Sequence, residues 1–442
     1  MKKCLFTTLP SNDLGLLTRS VPIAEELVKL GLQVTFCHPA KSPGLLIQDA
    51  GFENRLPEEP FFRLISSGFS FSNLSKLIFT RKSVRNIRHF LRFLRAHRKY
   101  STDEIWTNDH FLVFFGMLEE EFIQINVEAY IELIKNTRAD VVIDFWNPFA
   151  CIAARVMDVP LITVIQADMH PQSKGFIWWK KMPDNLPSPT GAINQVLHNY
   201  DLPPIEQTGE LFLGDQTLVV GTPELDPLPD SAEVTYIGPI LWQKDDAKLP
   251  NWIQQLDNEQ PIIWIYPGNL QYSRRSKTAF DSQIVLEACI NAFSNQEVQV
   301  VLTTGHHKLP AKYQNLPRNF QHTAYVPGLV MARKSDLLVH HGGYGSCQTG
   351  LFTGTPALII PTISERESNA RRIVAVKAGE YVLPTADKRG VDKKVNPRSV
   401  RQKALKILSD PSYLENARII QKKLELYGGA SEAAGIIKSF IA

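Results

Sequence analysis

The first apolar run, Lys3–Thr8, places Cys4, Leu5 and Phe6 side by side without alternation, the pattern of a strand covered on both faces. Residues 21–30 then repeat apolar positions at helical spacing and stop at Gly31, and residues 33–37 form another short apolar run. Strand, helix and strand in that order predict a βαβ unit. The same order returns at residues 139–144, 149–157 and 160–165, so the first half reads as an α/β domain on a parallel sheet. Residues 60–130 break this alternation. They are helical in period and crowded with aromatics, among them Phe61, Phe62, Phe69, Phe71, Phe79, Phe90, Phe93, Trp106, Phe111, Phe114 and Phe115.

Between Gly238-Pro239 and Gln260-Pro261 the chain turns polar, with Lys244-Asp245-Asp246 in the middle, which predicts an inter-domain linker. A second α/β series follows, with strands expected at residues 262–266, 298–303, 320–326, 336–340 and 357–360. An amphipathic helix at 431–441, after Gly428-Gly429, is placed to cross back onto the first domain. The expected division is therefore 1–240, 241–427 and a terminal helix within 428–442. No short-period repeat or low-complexity tract is evident.

A chain of 442 residues exceeds what one core usually organises, which agrees with two domains and a cleft where ligands bind. Hydrophobic content of 44% with 21% charged residues argues against disorder, and a net charge of +3 specifies no partner. The five cysteines, Cys4, Cys37, Cys151, Cys289 and Cys347, are scattered without a CxxC pair, so neither a disulfide framework nor a structural zinc site is indicated. A reducing compartment fits best. The start, Met1-Lys2-Lys3-Cys4-Leu5-Phe6, reads as a first strand and not as a signal peptide, and no apolar run is long enough for a conventional membrane-spanning helix. The expectation is a cytoplasmic protein, soluble or peripheral to the inner face of a membrane.

The strongest chemical signal is the strand Leu337-Leu338-Val339-His340 running into His341-Gly342-Gly343-Tyr344-Gly345-Ser346 and then a helical stretch over 347–352. Glycines there permit positive φ and close approach of backbone to a ligand. Free N–H groups at the helix start, with the positive end of the helix dipole, make an anion site suited to phosphates. His341 and Ser346 add side-chain donors, which in a transfer reaction would stabilise a departing diphosphate. Taken alone, a Gly-rich strand-to-helix turn can also be only a tight turn.

The context is more specific. Tyr325-Val326-Pro327, the run from Asp336 through Ser346, Gly354-Thr355-Pro356, Pro361 and Asn369-Ala370 together closely resemble the donor-binding signature of family 1 glycosyltransferases, particularly bacterial ones that decorate natural products or lipids. Weaker similarity, at Gly31, residues 140–144, Tyr236-Ile237-Gly238-Pro239 and residues 263–269, covers nearly the whole chain. The resemblance implies a GT-B architecture: two Rossmann-like domains facing each other across a cleft, the first for the acceptor and the second for a nucleotide-diphosphate sugar. It also implies roles. Tyr325 falls where an aromatic stacks on the nucleobase, with the backbone from Val326 reading the base edge. His341, Gly342, Gly343, Gly345 and Ser346 fall on diphosphate-binding positions, and Gly268 and Asn269 approach from the loop after the first strand of that domain. The bland alternative for Tyr325 is a core aromatic at a strand end.

Three positions depart from the family pattern. Thr349 stands where many relatives have a glutamate bonded to both ribose hydroxyls, and threonine makes only one shorter contact. This leaves uridine and deoxythymidine both open. Glu365-Arg366 replaces the common Asp-Gln at the donor sugar; Glu365 keeps an acceptor role, while Arg366 either clamps a sugar carboxylate or pairs with Glu365 or Glu367 at the surface. Leu16 follows Gly15 where inverting relatives place the histidine that deprotonates the acceptor. Leucine cannot be a base. Asp13 in Ser11-Asn12-Asp13 is the nearest titratable group and the candidate, with a turn or helix cap as its alternative. His170 should lie near the cleft as an acceptor-side contact or substitute base, unless it is simply solvent-exposed. His306-His307 lacks partners spaced for a metal and reads as a loop pair.

The aromatic insertion is where an apolar or lipid-like acceptor would bind. Within it, Arg81-Lys82, Arg85, Arg88, Arg92, Arg95, Arg98 and Lys99 interleave with Val84, Ile87, Leu91 and Leu94. Such a helix is either a solvated basic face or a surface for an anionic membrane, and Phe176-Ile177-Trp178-Trp179-Lys180-Lys181 has the same interfacial character. No nucleic-acid-binding module is present. The expectation is an inverting glycosyltransferase that needs no cofactor and no metal, the donor being a substrate. The rivals are a non-catalytic relative that binds the nucleotide sugar or activates a partner transferase, and a nucleotide-sugar epimerase on a related fold.

Overall fold

The computed structural model describes residues 1–10, 14–57, 91, 106–176, 182, 184–243, 248–256, 259–268, 270, 282–305, 307–386 and 393–442. Asp13, Asn269, His306, most of the aromatic and basic insertion, and residues 177–181 lie outside the described residues.

The first domain runs β1 (Lys3–Thr8), α1 (Leu17–Lys29), β2 (Gln33–Cys37), α2 (Lys41–Asp49), β3 (Glu53–Asn54), α3 (Asn108–Phe114), α4 (Glu120–Thr137), β4 (Val141–Phe145), α5 (Pro148–Val156), β5 (Leu161–Ile165), α6 (Thr190–Asn199), β6 (Gln216–Val219) and β7 (Thr235–Tyr236). Its described strands pair in parallel in the order β3-β2-β1-β4-β5-β6-β7. The second runs α7 (Asn251–Gln254), β8 (Ile262–Tyr266), α8 (Ser282–Phe293), β9 (Gln299–Thr303), β10 (Phe320–Thr323), α9 (Gly328–Lys334), β11 (Leu337–His340), α10 (Tyr344–Thr353), β12 (Ala357–Ile359), α11 (Ser364–Ala375), β13 (Gly379–Tyr381), α12 (Pro397–Ser409), α13 (Ser412–Leu424) and α14 (Gly429–Phe440). Its sheet order, β10-β9-β8-β11-β12-β13, repeats the first about its own first strand, again in parallel.

Burial explains the strand pattern. Every residue of β4, β5 and β11 is buried, as a sheet covered by helices on both faces requires. Helix ends follow local chemistry: Asn147 accepts from the Ala150 amide ahead of Pro148, Asn396 caps α12 ahead of Pro397, and Gly354 ends α10 at φ +67°. Two boundaries differ from expectation. Helix α1 begins at Leu17 and runs through Pro22, because the upstream amides of Thr18 and Ser20 already bond to Leu14 and Leu16. Strand β10 stops at Thr323, whose hydroxyl turns back to the Tyr325 carbonyl at 3.3 Å ahead of Pro327.

Helix α14 packs on α1, with Ala433, Ala434 and Ile437 in the same cluster as Leu17, Val21 and Ala24, and the Gly429 amide bonds to the Ile237 carbonyl. In each sheet the direction of winding reverses beside the first strand, between β1 and β4 and between β8 and β11. Crevices at the carboxyl ends of such strand pairs are where open α/β sheets bind ligands.

Candidate functional site

The crevice between β8 and β11 holds the glycine-rich run. Gly342 sits at φ +93°, and its amide bonds to His340 Nδ1 at 3.1 Å, which turns the chain sharply out of β11. Gly343 is the N-cap of α10 and no side chain caps that helix, which leaves its opening turn without a side-chain acceptor. The Gly343 carbonyl accepts from the amides of Ser346 and Cys347 at 3.0 and 3.1 Å, while Gly345 is exposed and Ser346 half-buried at the rim.

His341 is buried between two glycines. A Cβ on Gly268 would stand 2.9 Å from His341 Cγ and 3.0 Å from Nδ1, and one on Gly343 would stand 2.6 Å from Nε2. Only glycine admits the imidazole at both places. Tyr266, the last residue of β8, meets the ring edge-on at 5.6 Å between centroids. Burial, then the charge of Arg366, holds His341 well below its ordinary pKa, and its Nδ1 makes no hydrogen bond. A neutral imidazole, with a buried Nδ1 that has no hydrogen-bond partner, thus packs beneath the turn from β11 into α10. His340 beside it is also neutral, pushed down to about 3 by burial.

Two further elements touch the glycine loop, and Tyr325 lies on the same sheet's β10 side. Tyr325, after β10, is 53% exposed and so is not the core aromatic that was its alternative; Val326 behind it is buried. The Thr349 hydroxyl donates to the Gly345 carbonyl at 2.8 Å, so it is left with acceptor capacity only. At the start of α11, Glu365 accepts from Asn369 Nδ2 at 2.6 Å, and the same amide group donates to the Gly342 carbonyl at 2.9 Å. Asn369 therefore ties Glu365 to the glycine loop. The sequence marked Asn369 only as part of a motif; this positioning role needed the geometry. Arg366 is buried, not at the surface as expected, and donates to Thr362 Oγ1 at 2.7 Å, with its Cβ packed against Gly342.

On the first-domain side, Leu16 is the N-cap residue of α1 and packs against the core. His170 follows the short 3-10 turn Ala167–Met169 and is buried, not solvent-exposed, because the turn folds its ring under the Gln172 amide. That amide donates to His170 Nδ1 at 3.2 Å, and burial lowers its pKa. The neutral ring consequently carries its proton on Nε2, where it can donate a hydrogen bond but cannot accept a proton. Among the described residues no cluster of three or more His, Cys, Asp or Glu is placed to hold a metal, and no helix is long and apolar enough to cross a membrane.

A family model described as "Erythromycin biosynthesis protein CIII-like, C-terminal domain" matches residues 287–427. The chain is 30% identical over 209 residues to the NDP-glycosyltransferase YjiC of Bacillus licheniformis, covering 47% of this chain and 48% of that protein. It is 29% identical over 232 residues to the oleandomycin glycosyltransferase of Streptomyces antibioticus, covering 51% and 49%. It thus aligns with about half the length of the curated relatives it matches. Solved structures align over the whole fold: the calicheamicin glycosyltransferase at a TM-score of 0.66 and 16% identity, covering 100% of this chain and 98% of that one, and the glycosyltransferase VinC, in complex with dTDP, at 0.62 and 17%, covering 99% of each. Two parallel-sheet domains with matching switch points and these neighbours define the architecture as GT-B. Within that class the chain is similar to named bacterial glycosyltransferases over about half its length, and the family model covers the segment that carries the signature around His341.

Proposed function

We propose that this chain transfers a sugar from a nucleotide-diphosphate sugar to a hydroxyl of an apolar small-molecule or lipid-like acceptor, with inversion at the anomeric carbon. The observation that carries the reading is His341: buried, neutral, without a hydrogen-bond partner at Nδ1, and held between Gly268 and Gly343 at the uncapped start of α10. The diphosphate would lie along Gly342, Gly343, Gly345 and Ser346, with Gly268 and Asn269 opposite, so that charge developing on the leaving group meets backbone N–H groups and the histidine. No metal or cofactor is then required for leaving-group stabilisation. Tyr325 offers its exposed ring to the base with Val326 behind it, Thr349 accepts from a ribose hydroxyl, and Glu365 with Arg366 contacts the sugar. VinC was solved with dTDP, which supports testing deoxythymidine nucleotides beside uridine ones.

Removal of the acceptor proton falls to Asp13 in this reading, since Leu16 has no basic atom and His170 can only donate from Nε2. Contact with an anionic membrane rests on the sequences 81–99 and 176–181 alone. Leu16 also favours a second reading, a binder of nucleotide sugars that does no chemistry.

The test is thermal stabilisation by nucleoside diphosphates and their sugars, native protein against His341→Ala, followed by turnover on mixed donors and apolar acceptors. Selective stabilisation by uridine or deoxythymidine diphosphates, lost in the variant, is expected; no stabilisation by any nucleotide overturns the reading. Affinity without release of nucleoside diphosphate identifies the non-catalytic binder. Asp13→Asn should lower kcat on the order of 100-fold while nucleotide affinity stays nearly constant, and equal loss of both removes Asp13 from the mechanism.

A further inference from the structure

The first residue of α10, one position after the glycine loop, is not used by the chemistry above. Tyr344 is buried, and its side chain crosses into the other domain. Its hydroxyl donates to the Val220 carbonyl just beyond β6 and lies 3.0 Å from Asp226 Oδ2. Gly221 makes room for this: at φ +147°, a Cβ there would stand 2.5 Å from Asp226 Oδ2 and 2.8 Å from the Tyr344 oxygen. From the opposite side the Arg19 guanidinium of α1 lies over the tyrosine ring, 4.7 Å from its centroid. With its amide oxygen turned inward, Gln166 accepts from both Arg19 terminal nitrogens at 2.8 and 3.0 Å.

A second crossing comes from the last turn of α11, whose first turn carries Glu365 and Arg366. Arg372 Nε lies 2.6 Å from Asp226 Oδ1 and its Nη2 3.2 Å from Asp168 Oδ2, both carboxylates belonging to the first domain and both almost fully buried. Burial raises Asp226 to about 6 against the opposing pull of Arg372. The Tyr344 hydroxyl is thus shared between the Val220 carbonyl and the Asp226 carboxyl, both of which accept from it. Asp168 sits in the same turn as His170, and Arg19 lies one turn into α1 beyond Leu16.

Buried ion pairs are poor sources of net stability, because desolvation offsets much of their attraction, but they fix geometry strictly. We propose that Tyr344, Asp226, Arg372 and Asp168 form a clamp that sets the width of the inter-domain cleft, with Tyr344 a positioning residue for sugar transfer. Through it the first domain holds the opening turn of the diphosphate-binding helix at a fixed distance from the acceptor-side loops. This rests on the transferase reading for its consequence, though not for its geometry. A displacement of about 1 Å between donor and acceptor costs on the order of 100-fold in rate, so the clamp acts on kcat more than on nucleotide affinity.

The experiment is Tyr344→Phe in the full chain, which keeps the ring beneath Arg19 and removes only the hydroxyl. Nucleoside diphosphate affinity should change less than about threefold, while kcat falls at least tenfold at a temperature well below unfolding. Hydrogen exchange at the amides of residues 220–226 and of the first turn of α10 should rise together, and Arg372→Gln should reproduce both changes. Wild-type kcat in Tyr344→Phe overturns the positioning role even if the variant melts earlier. Unchanged exchange in both variants overturns the clamp itself. If the native protein neither binds nucleotide nor turns over, the transferase reading fails on its own, and the exchange measurement still decides the clamp.

Discussion

The two sheets wind in the same order about their first strands, yet they use the resulting crevices in opposite ways. Between β8 and β11 the walls are backbone: Gly268, Gly342 and Gly343 leave space, and His341 presents a nitrogen without a partner. Between β1 and β4 the space is taken by side chains that satisfy one another. Thr7 Oγ1 donates to Asp144 Oδ1 at 2.6 Å, and the Asn147 amide to Asp144 Oδ2 at 2.9 Å. Asn147 Nδ2 then bonds to the Thr8 carbonyl at 3.0 Å and to the Tyr130 hydroxyl at 2.6 Å. Topology supplies a crevice in both places. Whether it becomes an anion site or a closed polar core is decided by the residues placed in it.

The largest effect is expected from opening the closed side. Asp144 is fully buried, and burial lifts its carboxyl to about 7 against the lowering pull of its hydrogen bonds from Thr7 and Asn147. An acid raised above its unfolded value of 3.8 keeps a proton in the native state that the unfolded chain has already released. Its contribution is therefore fully present below about pH 4 and is lost progressively as pH rises to about 7, by which point the cost reaches roughly 4 kcal/mol. Urea unfolding of the native protein should show stability falling between about pH 4 and pH 7 and levelling off above, and Asp144→Asn should flatten that dependence. An equal slope in the variant would place the titration elsewhere.

A smaller effect should follow from closing the open side. Gly342→Ala forces a side chain to φ +93° and sets its Cβ 3.0 Å from Arg366 Cβ and from Ile359 Cγ2. Strain of this kind costs about 1–3 kcal/mol, and the displaced loop should bind nucleoside diphosphates at least tenfold more weakly. Gly345→Ala is the control for stability, since nothing lies within 4 Å of a Cβ there. Equal melting temperatures for the two alanine variants would show that the loop does not depend on the positive φ of Gly342.

Much of this contrast could be read in the chain. Short apolar runs marked β1, β4 and β11, because strands buried on both faces carry little else, and the glycines after His341 marked the sharp turn out of β11. Local pattern could not mark Asn369 as the tie between Glu365 and the Gly342 carbonyl, nor Asp226 and Arg372 as partners, since those pairings depend on how elements far apart in the chain pack. The burial of His170 and Arg366 was missed for the same reason. A polar residue in a polar stretch looks exposed until the neighbouring element that covers it is known.

The smallest effect concerns the rim of the open crevice, where Tyr325 stands 53% exposed on the loop that leaves β10. Because the residue is more than half exposed, removing the ring should move the melting temperature little. If the ring is the platform for a nucleobase, Tyr325→Ala should lose the stacking contribution of about 1–3 kcal/mol, read as a roughly tenfold weaker affinity for the nucleoside diphosphate, and Tyr325→Phe should restore most of it. Affinity for inorganic pyrophosphate, which engages only the glycine loop and His341, should stay unchanged in both variants. A loss shared by nucleotide and pyrophosphate would mean that Tyr325 shapes the loop instead of meeting the base, and the division of the crevice into a phosphate end and a base end would have to be redrawn.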